Sequence, residues 1–109
     1  MPELGGDGLD VLDIRADASG TVEVLVRGDL EMERAPRLRE AILNLLQRGD
    51  VTRVNLDLTA VTLLDATGAG ALIVAHRIAT HRRVALHITA ASAPVTQIMI
   101  LVGAAGLLP

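Results

Sequence analysis

Residues 54–77, VNLDLTAVTLLDATGAGALIVAHR, change hydrophobic period once, and that change constrains the fold more than any other feature of the chain. Val54, Leu56 and Leu58 alternate with Asn55, Asp57 and Thr59, the period of a strand with one buried face. After Leu64 the alternation stops. Asp65 and Thr67 supply side-chain oxygens suited to capping a helix, and Gly68-Ala69-Gly70-Ala71 leads into the apolar helical run 72–79. A strand therefore feeds a loop that delivers one hydroxyl, that of Thr67, to the start of a helix.

Unpaired backbone N–H groups and about half a positive charge favour an anion at a helix start by roughly 0.3–1 kcal/mol. Thr67 is thus well placed to carry a phosphate, and the small residues Gly68, Ala69 and Gly70 would let another protein approach the backbone closely. The same residues also have a plainer use. A Thr between Asp and Gly is ordinarily a cap, and Gly-x-Gly ordinarily lets a helix pack close to a sheet.

Residues 9–16 read as a first strand with Leu12, Ile14 and Ala16 on one side, and 21–27 as a second with Val22, Val24 and Val26 inward. The turn Asp17-Ala18-Ser19-Gly20 joins them as an antiparallel hairpin. Gly28-Asp29-Leu30-Glu31 should end the second strand and open a helix over 33–48, with Leu38, Ala41, Ile42, Leu45 and Leu46 on its apolar face and Pro36 in its first turn. Val84, Leu86 and Ile88 face inward on a later strand, followed by a helix over 95–102. Its consecutive apolar residues, Met99 to Val102, cannot all face one core. Core burial on several sides is the expectation, with a homodimer or partner surface as the alternative. Polar alternate faces on the strands predict an α/β domain of four to five strands with helices on one face only. Residues 1–8 read as a flexible lead-in and 9–109 as the domain.

Composition removes several functions. The 109-residue chain has no Cys and no Lys, so disulfides, thiol catalysis, a Walker A lysine and Schiff-base chemistry are excluded. It has no aromatic residue to stack bases and a net charge of -3, which argues against direct nucleic-acid binding. No apolar run approaches the roughly 20 residues of a membrane span. With no signal-like segment at the acidic start MPELGGDGLD, a cytoplasmic location is expected. His76 and His81 are five apart, about 140° around a helix, a poor chelating pair. No metal, cofactor or catalytic residue is expected.

Gly28-Asp29-Leu30-Glu31 before an amphipathic helix, Val54-Asn55-Leu56-Asp57-Leu58, the run Asp65-Ala66-Thr67-Gly68-Ala69-Gly70-Ala71-Leu72 and the late Gly103 together resemble a STAS domain, and specifically the bacterial anti-sigma factor antagonists. The resemblance implies a STAS-like mixed sheet and a non-enzymatic partner switch. In that family an anti-sigma factor serine kinase phosphorylates a hydroxyl of this loop, the modified antagonist lets go, and a phosphatase resets it. Carried onto this chain, the phosphoacceptor is Thr67; Asp65, Ala66, Gly68 and Ala69 belong to the kinase-facing loop, and Asp29 aligns near another partner-contacting edge. Many relatives carry two hydroxyls between Asp and Gly, whereas here Ala66 holds the first place.

A phosphothreonine adds about -1.5 to -2 charge. At about 5 Å from Asp65 and an effective dielectric near 20, each unit meets roughly 3 kcal/mol of repulsion before salt screening. Two rivals remain at this stage: a STAS subunit of a membrane transport or lipid-trafficking complex, docked on an ATPase and unmodified, and a weak nucleotide sensor using the helix start.

Overall fold

The computed structural model describes residues 12–32 and 34–109, in the order β1 (Asp13–Ala16), β2 (Thr21–Leu30), α1 (Arg34–Leu46), β3 (Arg53–Leu64), α2 (Ala66–His81), β4 (Ala85–Ala91) and α3 (Ala93–Leu101), then a 3-10 turn at Ala105–Leu107. The expected lead-in, residues 9–11 of the first strand and Glu33 lie outside the described residues. Among those described, four strands form one mixed sheet in the order β1-β2-β3-β4. The β1–β2 hairpin is antiparallel; β2–β3 and β3–β4 are parallel, each joined through a helix.

Register explains why the helices lie on one side. Val24, Leu56 and Ile88 are direct neighbours across β2, β3 and β4, and all three are buried. One residue earlier, Glu23, Asn55 and His87 form the opposite row, and Asn55 Nδ2 donates to Glu23 Oε2 at 2.7 Å. The period of two therefore puts a buried apolar row on one face of β2, β3 and β4 and a polar row on the other. Helix α1 packs over β2, α2 over β3 and β4, and α3 over β3, giving a two-layered body of 37 × 34 × 19 Å. Each Leu or Val fully enclosed between the layers, such as Leu38, Leu58 or Leu72, contributes about 1.5–3 kcal/mol through lost apolar exposure.

Three expectations need correction. Strand β1 has no buried face: Ile14 is 43% exposed and Ala16 is also exposed, because the helices cover β2 to β4 and stop short of this edge. Strand β2 does not end at Arg27. It kinks where Gly28 takes φ +92 and resumes pairing, Asp29 with Leu63 and Leu30 with Leu64, because β3 runs on beside it and Leu30 is fully buried.

The last correction concerns α3. Val95 and Met99 are buried, but Ile100 and Leu101 are 56% and 78% exposed, so core burial does not absorb the apolar surplus. A nine-residue helix lying on one face of a sheet has only one inward stripe. Leu101→Ser should accordingly change the unfolding free energy by less than about 0.5 kcal/mol in a urea titration, as for other exposed positions.

Candidate functional site at the start of helix α2

Asp65 makes the site rigid. It is the N-cap of α2: its Oδ1 accepts from the Gly68 N–H at 2.8 Å, while its backbone oxygen accepts from the Ala69 N–H at 2.9 Å. Its other carboxylate oxygen, Oδ2, accepts from the Met32 N–H at 3.1 Å, across 33 residues of sequence. One side chain thus closes the helix start and ties it to the β2–α1 connection. Met32 takes φ +49, a left-handed conformation uncommon outside glycine, and its N–H bond to Asp65 helps to hold it there.

The hydrogen bond from Gly68, and then that from Met32, holds the Asp65 carboxyl below its ordinary pKa, against the opposing effect of burial. A carboxylate with a lowered folded pKa stabilises the fold fully above its unfolded value and loses that contribution as pH falls through the folded one. Asp65→Ala should cost about 1–2 kcal/mol at pH 7, through the lost cap and the unbonded Met32 N–H. The difference from the parent should shrink below about pH 4, where the parent carboxylate is itself being protonated. Denaturant midpoints measured across pH check both.

Thr67 is the second residue of α2 and is exposed; among the described residues no group hydrogen-bonds its Oγ1. Ala66 beside it is also exposed. Gly68 and Ala69 are turned inward and buried, so of the three small residues expected to bare the backbone only Gly70 reaches the surface. A Cβ on Gly68 would sit 2.5 Å from the Leu30 carbonyl oxygen and 2.5 Å from Leu64 Cδ1, whereas one on Gly70 would meet nothing within 4 Å. Gly68 is therefore required by the packing of α2 onto β2 and β3, the plainer of its two uses.

Asp29 reaches the same end of the sheet as the next-to-last residue of β2. It is half-buried, and its Oδ2 accepts from Arg34 Nη1 at 2.8 Å. The structure therefore brings Asp29, Asp65, Ala66 and Thr67 to one rim, formed where the parallel strands β2 and β3 hand over to α1 and α2. Sequence reasoning missed two further members. Met32 and Leu63, 74% and 49% exposed, place apolar surface beside the polar rim. An isolated apolar residue carries no local signal of exposure, so neither was legible before the loops were placed. Among the described residues no three His, Asp or Glu side chains converge as a metal site, and no helix is long and apolar enough to cross a membrane.

A one-sided α/β sheet that offers a braced helix start and its alcohol at one rim is the architecture of a STAS domain. The family model described as "Mlab, STAS domain" matches residues 14–109, and the chain belongs to the STAS domain family. No curated protein matches the chain significantly.

Among solved structures, the anti-sigma factor antagonist SpoIIAA in its unphosphorylated form superposes with a TM-score of 0.77 at 16% identity, over 90% of this chain and 85% of that one. The phosphorylated form of SpoIIAA, the Bacillus cell fate determinant, gives 0.71 at 15%, over 90% and 88%. An anti-sigma factor antagonist from Mycobacterium paratuberculosis gives 0.72 at 22%, over 90% and 81%. At these identities the likeness is one of fold.

Proposed function

We propose that this chain is an anti-sigma factor antagonist that works by partner switching, with Thr67 as its switch. The observation that carries this reading is the Thr67 hydroxyl itself: exposed, unbonded by any described residue, and mounted on a helix start that Asp65 holds in place. A kinase can reach such an oxygen without unfolding anything. The Oγ1 attacks the γ-phosphorus of ATP, its proton passes to a base on the kinase, and ADP leaves. The unmodified rim binds an anti-sigma factor kinase through Asp29, Asp65, Ala66 and the neighbouring apolar Met32 and Leu63. Gly68 and Ala69 serve that contact from beneath, by setting the position of the loop. Phosphate at Thr67 adds bulk and roughly two negative charges beside Asp65, which expels a closely fitting partner while the fold persists. A phosphatase restores the binding form. The domain acts by binding rather than by catalysis, in the cytoplasm, on protein partners. The fold it shares with SpoIIAA, a protein solved in both phosphorylated and unphosphorylated forms, supports the reading.

One observation favours a second reading. The matching family model bears the name Mlab, not that of the antagonist SpoIIAA with which the fold is shared. On that reading the same rim docks permanently on the ATPase of a membrane transport or lipid-trafficking complex and is never modified. Incubation with ATP and the kinase encoded by a neighbouring gene, followed by mass spectrometry, separates the two. The switch requires one phosphate localised to Thr67; the docking subunit stays unmodified and co-purifies with an ATPase.

A further inference from the structure

Helices α1 and α2 follow the parallel strands β2 and β3, so both helices begin at the same rim of the sheet. Between their N-terminal halves lies a hollow of about 180 Å³, lined by Pro36, Arg39, Thr67, Gly70, Ala71 and Val74. Among the described residues that line it, Arg39 is the only charged one. Long helical side chains lean back toward the N-terminus of their own helix, which carries the guanidinium from α1 toward Pro36 and the start of α2.

Four other arginines are engaged elsewhere. Arg15, Arg34 and Arg48 hold Asp13, Asp29 and Asp50, and Arg53 donates to Asn55. Arg39 is exposed, and among the described residues nothing pairs with it. The nearest carboxylate at the start of α2, Asp65, has its two oxygens committed to the Gly68 and Met32 N–H groups. A planar cation and an alcohol, neither paired with any described residue, therefore share a small hollow whose other described lining residues are apolar.

We infer that Arg39 is the intramolecular partner of the phosphate on Thr67: its guanidinium forks onto two phosphate oxygens across the α1–α2 hollow and holds the modified side chain over the helix start. The inference rests on Thr67 as the phosphoacceptor and adds a residue that makes its modified state persist. Two parallel N–H···O bonds are the geometry for which arginine suits phosphate better than lysine does. Space for the group exists, since even a Cβ on Gly70 would meet no atom within 4 Å. Capture also withdraws the cation from any acidic partner surface, so one modification changes two charges that a partner reads.

The test uses full-length protein carrying phosphothreonine installed at position 67 by genetic code expansion, so its outcome does not depend on finding the natural kinase. Phosphorus NMR follows the second phosphate ionisation, ordinarily near pH 6. Asp65 and the α2 start act on the phosphate equally in every variant and cancel in the comparison. Arg39→Gln should raise that ionisation by about half a unit, the scale of an exposed ion pair, and Arg39→Lys should restore only part of the difference. Arg77→Gln, an exposed substitution further along α2, should leave it unchanged. High salt should shrink the Arg39 effect. An identical titration in the parent and Arg39→Gln would overturn the pairing, whether or not a kinase is found to modify Thr67.

Discussion

Thr67→Ala is expected to take up no phosphate from the kinase that modifies the parent, while retaining both its stability and its affinity for that kinase. The reason is the position of the hydroxyl. It is exposed and bonded to no described residue, so its removal leaves the Asp65 cap, the Met32 tie and the core untouched. The change in unfolding free energy should stay within about 0.5 kcal/mol. Thr67→Glu should behave differently, because a single added charge beside Asp65 weakens binding by about tenfold, or roughly 1.4 kcal/mol, without blocking folding. Phosphate incorporation followed by intact-mass spectrometry, together with calorimetric titration of the kinase, measures both variants. Undiminished phosphorylation of the alanine variant would move the phosphoacceptor elsewhere.

Two glycines separated by one residue should answer alanine in opposite directions. Gly68→Ala is expected to destabilise the chain by about 2–3 kcal/mol, because its Cβ would stand 2.5 Å from both the Leu30 carbonyl oxygen and Leu64 Cδ1. Neither neighbour has somewhere to go: the first is backbone of a paired strand and the second side chain belongs to the core. Gly70→Ala meets open space one turn into the helix and should stabilise by about 0.5–1 kcal/mol, through helix propensity and the smaller entropy of the unfolded chain. Urea titrations of the pair separate close packing from mere permissiveness. If both variants are stabilised, the packing of α2 against β2 and β3 has been misplaced.

The legible parts of the fold were those in which one period ran undisturbed over a covered element. Val22, Val24 and Val26, Val54, Leu56 and Leu58, and Leu86 and Ile88 alternate with their neighbours, and all eight are buried under helices. The same rule failed at Ile14, because alternation says which side chains share a face but not whether anything lies over that face. It also stopped too early at Arg27. Continuing β2 to Leu30 depends on a kink at Gly28 and on how far β3 extends beside it, a non-local condition. For Met99 to Val102, composition gave the surplus but not its exposure, since a single inward stripe accommodates only Met99 of that group.

At the rim, the Asp65 cap and the placement of Thr67 followed from local spacing, as helix starts do. The residues around them did not. Asp65 meets Met32 across 33 positions, and Arg39 joins Thr67 only because two parallel βα units bring their helix starts side by side. Gly68 and Ala69 were expected at the surface for their small size, but the same small size is what lets α2 lie against the sheet, and both are buried.

The most direct measurement is the affinity of one partner for two forms of the same chain, unmodified and carrying phosphothreonine at position 67. Isothermal titration of the anti-sigma factor kinase into each should give at least a tenfold weaker dissociation constant for the modified form, with circular dichroism the same for both. Equal affinities for two equally folded forms would contradict the claim that the alcohol at the start of α2 governs docking.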